Sequence, residues 1–340
     1  VEDLLAYNDL KEKDVKIGTV LLIPSKQQRT SSTSNKFATE DGFIRGCDIS
    51  FYQNRINWDE VKEKFGFVII RTGYGTNVDD NYFNYITAAE ENEIAAGAYC
   101  YNMYSAKGSD LEEFKTEQKQ QAEKTLELLK HKKISYPVYL DVEQFSSPWA
   151  KYMPIEYATA MINTWCDTIS SGGYIPGFYS NGVGYDYFSS LVENVESKSS
   201  KTTEEEAFVN NWNNKIQKWV AGGPQYNPEK LYELEDVKTP SAERLENYGD
   251  VDMFQVTSSA TNAGVSNDQG QVDVNFSSVD YATGEKMEKY NTEPEIKEIK
   301  DNSNRVITLS IPLVGGAIAF GTVSLSSLKK PKTKIKSKRR

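Results

Sequence analysis

At 340 residues the chain can hold one large domain with appendages. Its 39 Lys and Arg stand against 49 Asp and Glu, which argues against nucleic acid as a partner, because binding to a phosphate backbone needs a basic face. One histidine and three scattered cysteines, Cys47, Cys100 and Cys166, supply neither a zinc-type ligand set nor a disulfide framework; no metal and no cofactor are expected, and the cysteines read as buried fillers.

Residues 1–24 carry a helix with Leu4, Leu5 and Asn8 and a closing strand Val20-Leu-Leu-Ile-Pro24. The segment, taken as residues 1–25, resembles the second half of a LysM module, a small domain that binds glycans containing N-acetylglucosamine. The first strand and helix of such a module are missing, so the sequence reads as a fragment whose upstream part is lost. Residues 26–42, rich in Ser and Thr, read as a linker.

From residue 43 strands and helices alternate. Strand-like runs fall near 43–49, 67–71, 97–103, 137–143, 175–180, 217–221, 251–256 and 271–276. Helical stretches at Trp58 to Phe65, Tyr82 to Asn92, Leu111 to His131 and Ile155 to Ser171 separate the earlier strands, the last opened by Pro154 and closed by Gly172-Gly173. Such alternation argues for a parallel sheet, and eight strands for a barrel. The expected fold is therefore α/β, an irregular TIM-like barrel of eight strands and about five helices over residues 43–285. His131 sits in a solvated connection, and Gly73-Tyr-Gly75 lacks the third glycine and the lysine of a phosphate loop. The polar run 193–206 reads as a mobile surface insertion, with helix resuming from Glu204.

The chemistry centres on Tyr136-Pro-Val-Tyr-Leu-Asp-Val-Glu143. Side chains two apart on a strand share a face, so Asp141 and Glu143 point together while Leu140 and Val142 point away. Two neighbouring carboxylates resist joint ionisation, which lifts one pKa toward the range where a carboxylic acid donates a proton near neutrality. That is glycoside hydrolysis in outline. Three other segments add to it. Gly46-Cys-Asp-Ile-Ser-Phe-Tyr-Gln53 brings Asp48 and Ser50 to one face before a polar and aromatic loop. Gly97-Ala-Tyr-Cys-Tyr-Asn-Met-Tyr104 sets Tyr99 and Tyr101 on a common face, and Met253-Phe-Gln-Val-Thr257 with Gly270-Gln-Val-Asp-Val-Asn-Phe276 places Asp273 at another strand end.

In this order the motifs resemble the glycoside hydrolase family 25 lysozymes, the muramidases related to Chalaropsis lysozyme, over residues 43–282. The resemblance implies cleavage of the β-1,4 bond between N-acetylmuramic acid and N-acetylglucosamine in peptidoglycan. It implies Glu143 as general acid, Asp141 as nucleophile or electrostatic stabiliser, and Asp48 and Asp273 as the other acids of the pocket. Whether a carboxylate or the sugar's own acetamido group attacks the anomeric carbon stays open. Tyr52, Gln53, Tyr99, Tyr101, Tyr179, Trp219, Phe254 and Gln255 are the implied substrate-binding residues, glycan strands the partner, and a monomer the expected state. Two positions depart from the family pattern: Cys100 stands where a histidine is usual, and Phe254-Gln255 replaces Trp-Gln. Both are expected to touch the sugar-binding wall. A catalytically silent glycan-binding barrel is the alternative. A chitinase-like family 18 enzyme is disfavoured, because its longer motif needs an Asp where Tyr139 stands.

Residues 286–305 read as a polar linker. Residues 306–328 lack any charge and suffice in length for a membrane-crossing helix, and residues 329–340 carry eight basic residues and no acid. This pattern leads to the expectation of a transmembrane helix with a cytoplasmic C-terminus and an extracellular, cell-surface catalytic domain. With eight of the 39 bases beyond the span, 31 remain against all 49 acids before it, so an acidic exterior and a basic tail at anionic lipid are expected.

Overall fold

A parallel strand covered on both faces needs a continuous apolar run. Phe67-Val-Ile-Ile70 supplies one, and all four residues are buried. The computed structural model describes residues 36–103, 110–143, 153–227 and 229–283, together with the backbone of strands at 285–286, 295–300, 305–311 and 322–327. The LysM-like segment 1–25 and the basic tail 329–340 lie outside the described residues.

Eight strands close into a ring: β1 (Ile44–Ile49), β2 (Phe67–Tyr74), β3 (Ala95–Tyr101), β4 (Val138–Asp141), β5 (Pro176–Asn181), β6 (Gln217–Ala221), β7 (Met253–Thr261) and β8 (Val272–Ser277). Each pairs with the next, and β1 pairs with both β2 and β8. The successive pairs from β1 to β7 are parallel. β8 runs antiparallel to both β7 and β1. The expected α/β barrel of eight strands is therefore present, and its irregularity lies in one reversed strand.

Seven α-helices occur among the described residues: α1 (Trp58–Lys64), α2 (Tyr82–Glu91), α3 (Leu111–Leu129), α4 (Ile155–Ser171), α5 (Gly182–Glu196), α6 (Thr203–Asn214) and α7 (Ala242–Asn247). Most of the polar run 193–206 is helical rather than an insertion. α5 continues to Glu196, and α6 starts behind a capping box in which Thr202 and Glu205 satisfy each other's backbone N–H groups. The helices seal against the barrel through aromatic contacts. Phe178 on β5 meets Phe188 of α5 at 4.8 Å and Trp212 of α6 at 5.0 Å, and Trp165 of α4 donates its indole N–H to the Val138 carbonyl at 3.1 Å. Inside the barrel Tyr139 rests on Gly177, where a Cβ would fall 2.3 Å from its ring, so only glycine fits. Cys47, Cys100 and Cys166 are free and buried, and burial raises the pKa of each thiol. Residues 36–42, expected as linker, turn back on β1 through an Ala38–Ile44 bridge and a bond from Thr39 N–H to the Phe43 carbonyl at 2.7 Å.

The chain divides into two compact units, Ser32–Ala282 and the segments Val1–Ser31 with Thr283–Arg340. The second unit contains an antiparallel sheet of β9 (Glu295–Lys300), β10 (Arg305–Ile311) and β11 (Thr322–Ser327), in the order β9-β10-β11. This overturns the expected membrane helix at 306–328. Among the described residues no helix is long and apolar enough to cross a membrane, and the membrane loses its place as a partner through that helix. The physical reason is visible in Val306-Ile-Thr-Leu-Ser-Ile311, where polar residues recur at every second position, the period of a strand. The expected linker 286–305 likewise contains β9.

Candidate active site

Asp48 and Asp273 sit directly opposite each other across the β1–β8 ladder. Because β8 is reversed, Asp273 lies at the start of its strand, yet it reaches the barrel end at which β1 and β4 finish with Asp48 and Asp141. Asp48 is buried, and its Oδ2 accepts from Gln255 Nε2 at 2.9 Å and from Asn275 Nδ2 at 2.8 Å. Both amides are themselves oriented. The Tyr179 hydroxyl donates to Gln255 Oε1 at 2.8 Å, and Trp219 Nε1 donates to Asn275 Oδ1 at 2.9 Å. With their oxygens taken as acceptors, the two amides present N–H groups to Asp48.

Asp141 ends β4 and is buried, with Oδ1 lacking a hydrogen-bond partner among the described residues. Glu143 follows two residues later with its side chain exposed at the mouth. Arg71, on the interior side of β2, gives its Nε to Asp79 Oδ2 at 2.7 Å and lies over the Phe51 and Tyr52 rings. Below the acids an aromatic floor forms around buried Trp219, whose ring meets Tyr179 at 4.3 Å, Tyr139 at 5.1 Å and Tyr99 at 6.2 Å. Each such contact contributes ~0.5–1.5 kcal/mol beyond simple burial.

These surroundings push proton affinities upward. Burial raises Asp141 well above the usual carboxylate range, the charges of Glu143 and Asp48 add to it, and Arg71 opposes. Glu143 is raised by loss of hydration on its inner side and by the charge of Asp48, against the Tyr179 hydroxyl and Arg71. Asp273 is raised well above its ordinary value by burial, by the charge of Asp48 and by its hydrogen bond to Asp48. Burial also raises Asp48, while its amide donors hold it down in part. One proton is therefore shared within the Asp48–Asp273 pair, with Asp273 as donor.

A sequence model of the family described as glycosyl hydrolases family 25 matches residues 47–265, more than half of the chain. The chain belongs to that family. Comparison with curated proteins gives no significant match. Among solved structures, the modular autolysin LytC of Streptococcus pneumoniae is similar at 23% identity over 70% of this chain and 47% of its own, with a TM-score of 0.45. This chain thus spans about half the length of that autolysin. The spore cortex lytic enzyme SleM of Clostridium perfringens is 15% identical over 80% of this chain and 77% of its own, with a TM-score of 0.49. The bacterial lysozyme of Streptomyces coelicolor is 20% identical over 68% of this chain and 90% of its own, with a TM-score of 0.44.

In this family 25 barrel Asp48, Asp141, Glu143 and Asp273 come together at one mouth, with Tyr99, Tyr179 and Gln255 around them. Tyr101 pairs in register with Asp141 on the neighbouring strand, and Tyr52 stands exposed on the loop after β1. Trp219 belongs to the floor, as does the inner edge of Tyr179. Gln53 braces the loop instead of facing a sugar, since its side-chain oxygen accepts from the Ser50 N–H at 2.9 Å and from the Ser50 hydroxyl at 3.2 Å. Phe254 does not reach the pocket. It alternates with Gln255 on β7, so it faces out of the barrel, buried beneath Arg244. Cys100 is likewise turned outward between Tyr99 and Tyr101, toward the Gly75 carbonyl at 3.5 Å. The expectation that these two substitutions alter the sugar-binding wall is corrected: both lie on the far face of their strands.

Three participants escape a reading by motif. Arg71 is signalled only by a charge closing the apolar run Phe67-Val-Ile-Ile70. Asn275 is signalled by its place two residues after Asp273, on the same face. Tyr226 comes from the loop after β6, where no periodicity marks it; burial and the charges of Asp273, Glu143 and Asp48 raise its pKa, which sets it beside the acids.

Proposed function

We propose that the chain is an N-acetylmuramidase that hydrolyses the β-1,4 bond between N-acetylmuramic acid and N-acetylglucosamine in peptidoglycan. Membership of a glycosyl hydrolase family supports the reaction class. The observation that carries the assignment of roles is the crowding of four carboxylates at one mouth, with the exposed one, Glu143, raised in proton affinity. Glu143, whose proton affinity is raised by burial and by the charge of Asp48, is the group that gives its proton to the glycosidic oxygen as that oxygen leaves the anomeric carbon. Asp141 has a buried Oδ1 with no partner among the described residues, which is placed to accept the acetamido N–H of the substrate. That bond aims the acetamido oxygen at the anomeric carbon, which it attacks as the glycosidic bond breaks. Water, giving one proton to Glu143, then displaces the acetamido oxygen from the anomeric carbon, so that bond breaks as the new one forms and the configuration is retained. Asp48 and Asp273, sharing one proton, stabilise positive charge as it grows on the sugar ring.

The substrate class puts the work of this enzyme at the cell wall, outside the cytoplasm, and the LysM-like reading of residues 1–25 fits the same glycan. Purified peptidoglycan digested by the protein and separated by mass spectrometry gives the test. Fragments with muramic acid at the reducing end are expected; glucosamine at that end, or no soluble product, refutes the assignment. Glycan with free amines in place of the acetamido groups is expected to resist cleavage. The silent-binder alternative rested on Cys100 and Phe254, and their outward orientation removes its motive.

A further inference from the structure

Behind the mouth, on the outer side of the β6–β7 edge, lies a cavity of about 290 Å³ lined by Gly222 to Gln225, Lys238 to Ser241, Arg244 and Val256. Its most unusual member is Arg244. The guanidinium is stacked over Tyr248 at 4.9 Å and gives Nη2 to the Ala221 carbonyl at 2.9 Å, while Nε is buried with no hydrogen-bond partner among the described residues. Leaving a charged donor buried and unmatched is costly, so this place in the fold calls for an explanation. Gly222 and Gly223 face the guanidinium at backbone φ of 124° and 127°, where side chains are disfavoured. A Cβ at Gly222 would stand 3.3 Å from Nη2, and one at Gly223 would stand 3.8 Å from Nε, so their absence leaves room beside the guanidinium. Lys238 adds a second positive group on the lining, and no acid lines the cavity. Asp186 also acts on Arg244 through its charge, from outside that lining.

The turn that lines the cavity is bonded to residues of the site. The Gly222 N–H binds the carbonyl of Gln255, whose side chain holds Asp48, and the Tyr226 N–H binds the Gly223 carbonyl at 3.0 Å. Tyr226 itself stands beside the acids. The cavity thus lies one turn away from the residues around the acids. Its size suits two or three small residues, being near the lower end of ligand pockets.

We propose that this cavity is a subsite for a short peptide of small residues carrying a carboxylate, which the cations of Arg244 and Lys238 receive. It rests on the muramidase reading, in which muramic acid carries such a peptide on its lactyl group. Charge complementarity favours it: the protein has a net charge of −10, yet the cavity presents two cations and no carboxylate.

The test compares kcat/KM on glycan strands bearing stem peptides with kcat/KM on the same strands stripped of peptide, for the wild type, Arg244→Lys and Val256→Phe. Arg244→Lys keeps the charge but loses the fork, and Val256→Phe fills the cavity from the other wall. The wild type is expected to prefer peptide-bearing strands, and both variants to lower that preference about tenfold, the loss falling in KM. A purely structural role for Arg244 lowers both substrates equally and leaves the ratio where it was, and that result overturns the proposal. A second arm does not depend on catalysis. NMR titration of the full chain with acetyl-L-alanyl-D-glutamate and with its diamide should shift the Arg244 Nε–H signal for the acid only. Equal response to both, or none, overturns the subsite whether or not the chain cleaves glycan; cleavage with muramic ends but no preference leaves the muramidase standing alone.

Discussion

Replacing Asp273 by asparagine should make the protein more stable at neutral pH while impairing it as an enzyme. Asp273 faces Asp48 directly across the β1–β8 ladder, and its pKa is raised well above the ordinary value by burial and by the charge of Asp48. In the unfolded chain an aspartate ionises near pH ~3.9. Below that pH both states carry the proton, and the group has no effect on stability. As pH rises, the unfolded state releases its proton while the folded state retains it, so stability falls until the folded pKa is reached. Each unit of elevation costs ~1.4 kcal/mol at pH values above both pKa values. Asparagine has no such proton to lose, and its amide N–H can still donate to Asp48. The expected gain is thus absent near pH 3 and reaches ~1.4 kcal/mol or more at pH 7, which corresponds to ~3–6 °C in Tm for a domain of this size. Urea or thermal unfolding of both proteins from pH 3 to pH 7 measures it. A gain of equal size at the two ends, or a loss at pH 7, refutes the shared-proton account.

Other consequences can be checked alongside. Glu143→Gln keeps the shape but removes the transferable proton, so kcat should fall about 10²-fold or more with glycan binding retained; near-normal turnover removes Glu143 from its role. Because the pKa of Glu143 is raised, activity should persist above the usual glutamate range and decline on the alkaline side as this proton is lost, and a profile that falls from pH ~4.5 upward contradicts that. Arg71→Met takes away the cation that lowers Asp141 and Glu143 and leaves the wholly buried Asp79 side chain without its counter-charge, held only by the Phe51 and Asn81 N–H groups. It should destabilise the fold by ~3–5 kcal/mol and move the alkaline limb upward in pH, an effect absent if Arg71 serves packing alone. Trp219→Phe strips Asn275 of its orienting donor at a cost of ~1–3 kcal/mol in denaturant unfolding, and unchanged stability speaks against the relay from Trp219 to Asp48.

Much of this arrangement was legible in the chain itself because barrel strands are short apolar runs and acids at their ends stand out. Asp48, Asp141, Glu143 and Asp273 could each be placed on a strand face by alternation alone. The direction of β8 could not, since Gly270-Gln-Val-Asp-Val-Asn-Phe276 has the same pattern read either way, and only pairing with β1 and β7 decides it. Phe254 and Cys100 were assigned to the pocket by likeness of position, whereas the alternation that puts Gln255 and Tyr99 inside requires both to face outward. In the run 306–328 the lack of charge outweighed a two-residue alternation of Thr308 and Ser310 with Ile307 and Leu309, and the alternation is what β10 follows. The run 193–206 looked like an insertion because its polarity hides two helix ends, one of them capped by Thr202.

The reversed β8 fixes more than a direction. In a wholly parallel barrel the acids at the mouth sit on successive strand ends and depend on the loops that follow to hold them. Here Asp48 and Asp273 are bound to one another by the ladder itself, residue against residue, below the level at which the connecting loops begin. Their spacing is a property of the sheet, as rigid as the backbone hydrogen bonds around it. The loops after β1, β6 and β7 are thereby released from any duty toward the proton. Residues such as Tyr52 and Tyr226 can be exchanged to suit a different glycan, and the acid pair underneath keeps its setting.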